Sequence, residues 1–131
     1  MLTMMRLARE REKLRVVSDQ VGCPTWSRMI AETTALALKQ TVAAREPAAL
    51  SGTYHLASSG VTSWHGFAQA IVNRMPAEGK KCSAVEPIPT AEYPTPAKRP
   101  AYSVLACDKL ERAFGLRLPH WEESLKQVLE T

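Results

Sequence analysis

Trp64, Phe67, Ala68, Ile71, Val72 and Met75 recur at intervals of three and four, which draws one apolar stripe along an α-helix. Ser63 stands at the N-cap position and Pro76 prevents the helix from continuing far. A second such stripe, Trp121, Leu125, Val128 and Leu129, predicts a closing helix that starts near Pro119, with Glu122 and Glu123 at its positive end. Residues 1 to about 13 and Trp26 to about Thr41 are rich in good helix formers and are read as helices. Asp108 is positioned to cap a short helix through Phe114, with Gly115 as its left-handed closing residue.

Strand signals are few. Leu14 to Ser18 holds Val16 and Val17, Thr53 to Ser58 alternates with Tyr54 and Leu56 on one face, and Ala84 to Pro89 is a third candidate. Six of the nine prolines lie between Pro76 and Pro100, so that stretch is expected to be extended and turn-rich. Asp19 to Thr25 reads as a loop because Gly22 and Pro24 break any regular pattern. The fold class that follows is α+β, mainly helical with a few short strands, in one lobe over residues 1–131. Three short strands cannot close a sandwich or barrel, so Thr53 to Ser58 is expected to join a sheet supplied from elsewhere, and an uncovered edge invites self-association.

Composition sharpens this picture at three points. The apolar fraction of 45% and charged fraction of 23% belong to a folded soluble domain rather than a disordered chain. No apolar run approaches the ~18 residues of a membrane span, and the opening MLTMMRLARERE turns charged too soon for a signal peptide. A cytoplasmic protein without membrane partners is expected. Cys23, Cys82 and Cys107 are odd in number and widely spaced, which encodes neither a disulfide framework nor a zinc site. The net charge of +4 comes largely from Arg6, Arg9, Arg11, Lys13 and Arg15, interrupted by Glu10 and Glu12. Mixed signs at this spacing describe a solvated helix face, and no nucleic-acid partner is expected.

Catalytic patterns are mostly missing. There is no Gly-x-Gly-x-x-Gly turn, P-loop, Gly-x-Ser-x-Gly or His-Glu-x-x-His, and His55, His65 and His120 have no metal-ligand spacing. The chain instead carries polar, proline-bearing loops next to short strands: DQVGCPT at Asp19 to Thr25, TYHLASSGVTSW at Thr53 to Trp64, and YPTPAKRPAYSVL at Tyr93 to Leu105. In this order they resemble the carboxy-terminal half of dTDP-4-dehydrorhamnose reductase, of the extended short-chain dehydrogenase/reductase superfamily. Asp19, Gln20, Gly22, Pro24 and Thr25 match its DQxGxPT. Gly52, Tyr54 and His55 match GxYH, and Ser63, Trp64, Phe67 and Ala68 match SWxxFA. Tyr93 to Pro100 with Ser103 and Leu105 follow YPTPAxRPxxSxL, and Leu118, Pro119 and Trp121 follow LPxW. Gly66 departs from the acidic residue often found after the Ser-Trp pair.

The resemblance implies a part of an NAD(P)-binding Rossmann-fold enzyme whose Rossmann core is largely missing. The complete enzyme would reduce dTDP-4-dehydro-L-rhamnose to dTDP-L-rhamnose with NADPH or NADH, and this chain alone would bind neither cofactor. Its expected partners are the nucleotide-sugar substrate and the missing amino-terminal Rossmann half. The family's Tyr-x-x-x-Lys pair belongs to that half: Tyr54, Tyr93 and Tyr102 are followed four residues on by Ser58, Ala97 and Ala106. No catalytic residue is therefore assigned to this chain.

The remaining role is recognition of a dianionic nucleotide sugar. Arg99 is the candidate for the diphosphate, since a guanidinium can hold two phosphate oxygens and Pro100 stiffens its loop; pairing with a local carboxylate is the structural alternative. Asp19, Gln20 and Thr25 follow a strand end, where open α/β folds place ligand contacts; the alternative is that they only satisfy backbone groups in the turn. Trp64 and Trp121 are read as core anchors of their helices. Two competing readings are a non-catalytic regulatory or scaffold subunit of the same fold and a basic nucleic-acid-binding module, for which only the overall charge speaks.

Overall fold

The computed structural model describes residues 1–130. Helix α1 (Leu2–Glu10) leads into strand β1 (Lys13–Val17), the short strand β2 (Val21–Gly22) and helix α2 (Ser27–Ala43). A 3-10 turn at Pro47–Leu50 precedes strand β3 (Thr62–Ser63) and helix α3 (Trp64–Arg74). Strand β4 (Ala84–Ile88), a 3-10 turn at Thr90–Glu92, helix α4 (Asp108–Phe114) and helix α5 (Trp121–Glu130) complete the order.

β1 and β4 pair in parallel, with Lys13 opposite Ala84 and Val17 opposite Ile88. Parallel neighbours need a long crossover, and the crossover here contains α3, which packs on both strands. Pro87 lies opposite Val16 and lacks a donor, which suits β4 to an edge position. The second sheet is the antiparallel contact of β2 with β3, Val21 opposite Ser63 and Gly22 opposite Thr62.

The core forms where the α3 stripe meets these strands. Ile71 is 0% exposed, and Ala68, Val72 and Met75 are buried beside it with Leu14 of β1 and Val85 of β4. α5 closes the group with Trp121 and Leu125, the Trp121 ring meeting Phe67 edge-on at a centroid distance of 5.9 Å. α1 contributes Ala8, whose carbonyl accepts from both Lys81 N and Cys82 N, so the helix end is clasped by the segment that enters β4. Its Arg6 pairs with Glu10 on an exposed helix face, as the alternating signs predict, but Lys13 and Arg15 lie on β1 rather than on the helix and pair in solvent with Glu86 and Glu92.

Ser63 caps α3 through a 3.0 Å bond from Gly66 N to its side chain. A side chain at Gly66 would bring its Cβ within 2.4 Å of Thr62 Oγ1, a local reason for the departure from an acidic residue at this position. All three cysteines are free.

Four expectations are corrected. Thr53 to Ser58 is not a strand; no ladder partner lies beside it, and its backbone is met singly, as where Ser58 N donates to Thr25 Oγ1. The only bridge near it among the described residues, Ser59 with His120, ties it to the start of α5. Within the expected loop, Val21 and Gly22 form β2. Asp108 is the first residue of α4 rather than its cap, with Cys107 at the cap and no side-chain bond there. Trp64 is 58% exposed and anchors no core, unlike Trp121 at 6%.

Candidate nucleotide-sugar site

Past the end of β1 the chain enters the Asp19–Thr25 loop, and the three segments singled out in the sequence come together there. Val21 N donates to Ala101 O at 2.8 Å and Val21 O accepts from Ser103 N at 2.9 Å, which docks the proline-rich segment on β2. On its other side β2 pairs with β3, and Cys23 Sγ donates to Gly60 O at 2.9 Å. Burial first, and the neighbouring Cys107 second, hold the Cys23 thiol above its ordinary range, consistent with a protonated donor.

Between these segments lies a cavity of about 270 Å³ whose walls include Gln20, Ser63, Trp64, Arg99, Pro100 and Ser103. Arg99 is exposed, and among the described residues no carboxylate pairs with it. Its five donors are therefore available to an anion. Gln20 Nε2 donates to Thr90 Oγ1 at 3.0 Å, which orients the amide.

Asp19 and Thr25 do not line this cavity. The Asp19 carboxylate accepts from Thr90 N at 2.9 and 3.0 Å and from Thr90 Oγ1 at 2.6 Å. Thr25 Oγ1 donates to Cys23 O at 3.0 Å and accepts from Ser58 N at 3.1 Å. Both tie loops together, so of the four sequence-derived candidates only Gln20 and Arg99 share the cavity.

The Thr90 hydroxyl and amide donors hold the Asp19 carboxyl below the ordinary carboxylate range. A lowered folded-state pKa contributes stability that is present above the unfolded value and is lost as pH falls through the folded value. Acid unfolding of the wild-type chain should thus carry an Asp19 contribution below about pH 4 that is absent in Asp19→Asn. Identical pH dependence in the two proteins would remove this role.

Trp64 is the residue that sequence reasoning misplaced. Its signal was its place directly after the capping Ser63, at the first position of α3. His65 Nε2 meets Val85 O at 3.0 Å and His120 Nδ1 accepts from Glu122 N at 3.3 Å, both local structural bonds. His120 also packs on Gly60, where φ is +81° and a Cβ would fall 2.0 Å from Nε2. Gly60→Ala should therefore cost about 1–3 kcal/mol in a urea titration, and a stability within error of wild type would contradict the packing.

The fold of the chain matches one part of solved dTDP-4-dehydrorhamnose reductases. It superposes on the dTDP-4-dehydrorhamnose reductase of Clostridium acetobutylicum with a TM-score of 0.81 and 37% identity, covering 98% of this chain and 42% of that one. On the reductase of Bacillus anthracis, solved in complex with NADP, the TM-score is 0.76 at 34% identity, with 99% and 42% covered. The dTDP-4-dehydrorhamnose reductase of Burkholderia thailandensis is 51% identical over 124 residues, 91% of this chain and 42% of that protein. That of Salmonella typhimurium is 41% identical over 129 residues, 97% of this chain and 42% of the relative. The family described as RmlD substrate binding domain matches residues 1–131, and the chain belongs to it.

Proposed function

We propose that residues 1–131 act as one substrate-binding lobe that holds the nucleotide sugar of a reductase converting dTDP-4-dehydro-L-rhamnose to dTDP-L-rhamnose. The observation that carries this reading is the convergence of three loops on a cavity where Arg99 has no carboxylate partner among the described residues. Arg99 is assigned to the diphosphate and Gln20 to the sugar or base, while Asp19 and Thr25 support the loops that present them. A regulatory or scaffold role gains nothing from an unpaired guanidinium at a formed cavity.

The cofactor belongs to residues beyond this match. The six glycines of this chain are singly placed and form no Gly-x-Gly-x-x-Gly turn between strand and helix, so the residues present do not fit a dinucleotide and hydride transfer is not assigned to them. The isolated chain should leave NADPH unoxidised when mixed with dTDP-4-dehydro-L-rhamnose. Joined to the portion of the Burkholderia thailandensis reductase that it does not match, it should restore enzyme-dependent NADPH oxidation. A folded hybrid without turnover would sink the reading.

Self-association is part of the proposal, although the edge first invoked for it, Thr53 to Ser58, is no strand. α2 buries none of its residues and exposes Ile30, Leu36, Leu38 and Val42, of which Leu38 and Val42 stand one turn apart on the same side, and exposed apolar groups like these are what an interface covers. Sedimentation at micromolar concentration should show dimers or larger species, and a stable monomer would refute this. None of the described helices is long and apolar enough to cross a membrane, and the cytoplasm, where a nucleotide-sugar substrate is made, is the proposed location.

A further inference from the structure

Trp64 is a large aromatic side chain that the core does not use. It lies at the first turn of α3, 58% of it is exposed, and it lines the same cavity as Gln20 and Arg99. Tyr93 and Tyr102 are exposed to a similar degree, yet neither lines that cavity. A flat apolar face beside an unpaired guanidinium matches a ligand with one flat ring and one dianionic group. A pyrimidine nucleoside diphosphate is such a ligand: its base stacks on an aromatic face, and its phosphates take charge-assisted hydrogen bonds.

We propose that Trp64 is the stacking platform for the thymine base of the nucleotide sugar, a role that rests on the reading of the cavity given above. In this role the exposed indole takes the base, Arg99 holds the diphosphate, and the loop stiffened by Pro100 sets the spacing between them. Ser63 fixes the platform, because its cap bond to Gly66 N anchors the turn that carries Trp64. Stacking alone tolerates any base, so Trp64 supplies affinity for the nucleoside end and leaves discrimination between pyrimidines to polar groups such as Gln20.

The test compares dTDP with inorganic pyrophosphate by calorimetric titration of the 131-residue chain, its Trp64→Ala and Trp64→Phe variants and Arg99→Ala. Trp64→Ala should weaken dTDP about ten- to hundredfold and change pyrophosphate by no more than about twofold. Trp64→Phe should recover most of the loss, and Arg99→Ala should weaken both ligands. Because the side chain is exposed, Trp64→Ala should keep the wild-type circular dichroism and urea midpoint. Wild-type binding of dTDP that Trp64→Ala leaves unchanged would overturn the stacking role while the substrate site stands. Equal weakening of dTDP and pyrophosphate in Trp64→Ala would also overturn it, since Trp64 would then only shape the loop. A wild-type chain that binds neither ligand would overturn the reading of the cavity itself.

Discussion

Ile71→Ala should lower the stability of the chain by about 2–5 kcal/mol, read as a fall in the urea midpoint at unchanged slope. Ile71 is 0% exposed and is the largest side chain buried so completely among the described residues. It sits where α3 meets Leu14 of β1, Val85 of β4 and Trp121 of α5, elements fixed from several sides that cannot collapse into the space three lost carbons leave. Both the transfer and the cavity costs then apply. A domain of this size holds about 5–15 kcal/mol in all, so one truncation removes a large share. Ile71→Val, with one methylene removed, should cost only about 0.5–1.5 kcal/mol. Leu2→Ala, at the start of α1 where Leu2 is 75% exposed, should stay within about 0.5 kcal/mol of wild type. If Ile71→Ala matched Leu2→Ala, the core would have to lie elsewhere.

The same helix shows what the sequence could and could not disclose. The stripe from Phe67 to Met75 was legible because helical periodicity and burial are one phenomenon there: α3 runs across two paired strands, and every third or fourth residue must face them. Trp64 satisfies the same spacing and still points away from the core. Side chains lean toward the amino terminus of their helix, so a first-turn residue projects past the end of the packed surface. In α3 that end opens on the cavity. Periodicity alone cannot register where the neighbouring elements stop.

Thr53 to Ser58 misled for a related reason. Its alternation is real, with Tyr54 turned onto Phe114 at 5.2 Å, but a strand exists only with a partner, and pairing is decided by segments far away in sequence. The candidate site was legible as motifs and not as geometry. Gly22, Pro24 and the Arg99-Pro100 pair marked the loops, since these residue types restrict the backbone. Which side chains would face the cavity depended on Thr90, far along the chain from Asp19, which draws the Asp19 carboxylate away and orients the Gln20 amide.

In the hybrid enzyme, Arg99→Ala should raise KM far more than it lowers kcat. Arg99 lines the cavity with no carboxylate partner among the described residues, so its removal strands no buried charge and should leave the fold intact. The diphosphate it is proposed to hold lies away from the carbonyl being reduced and keeps its charge throughout the reaction. A contact made equally in ground and transition states changes binding without changing the chemical barrier. Loss of one charge-assisted contact of about 1.5–3 kcal/mol corresponds to a KM roughly ten- to hundredfold higher. Arg99→Lys should recover only part of this, because a point charge replaces a planar two-pronged donor. The effect should shrink as salt is added, since an exposed ion contact is screened within about 10 Å at about 0.1 M. A folded Arg99→Ala enzyme with unchanged KM would assign Arg99 to the loop alone and place the diphosphate elsewhere. A loss confined to kcat would instead bring Arg99 to the reacting end of the substrate.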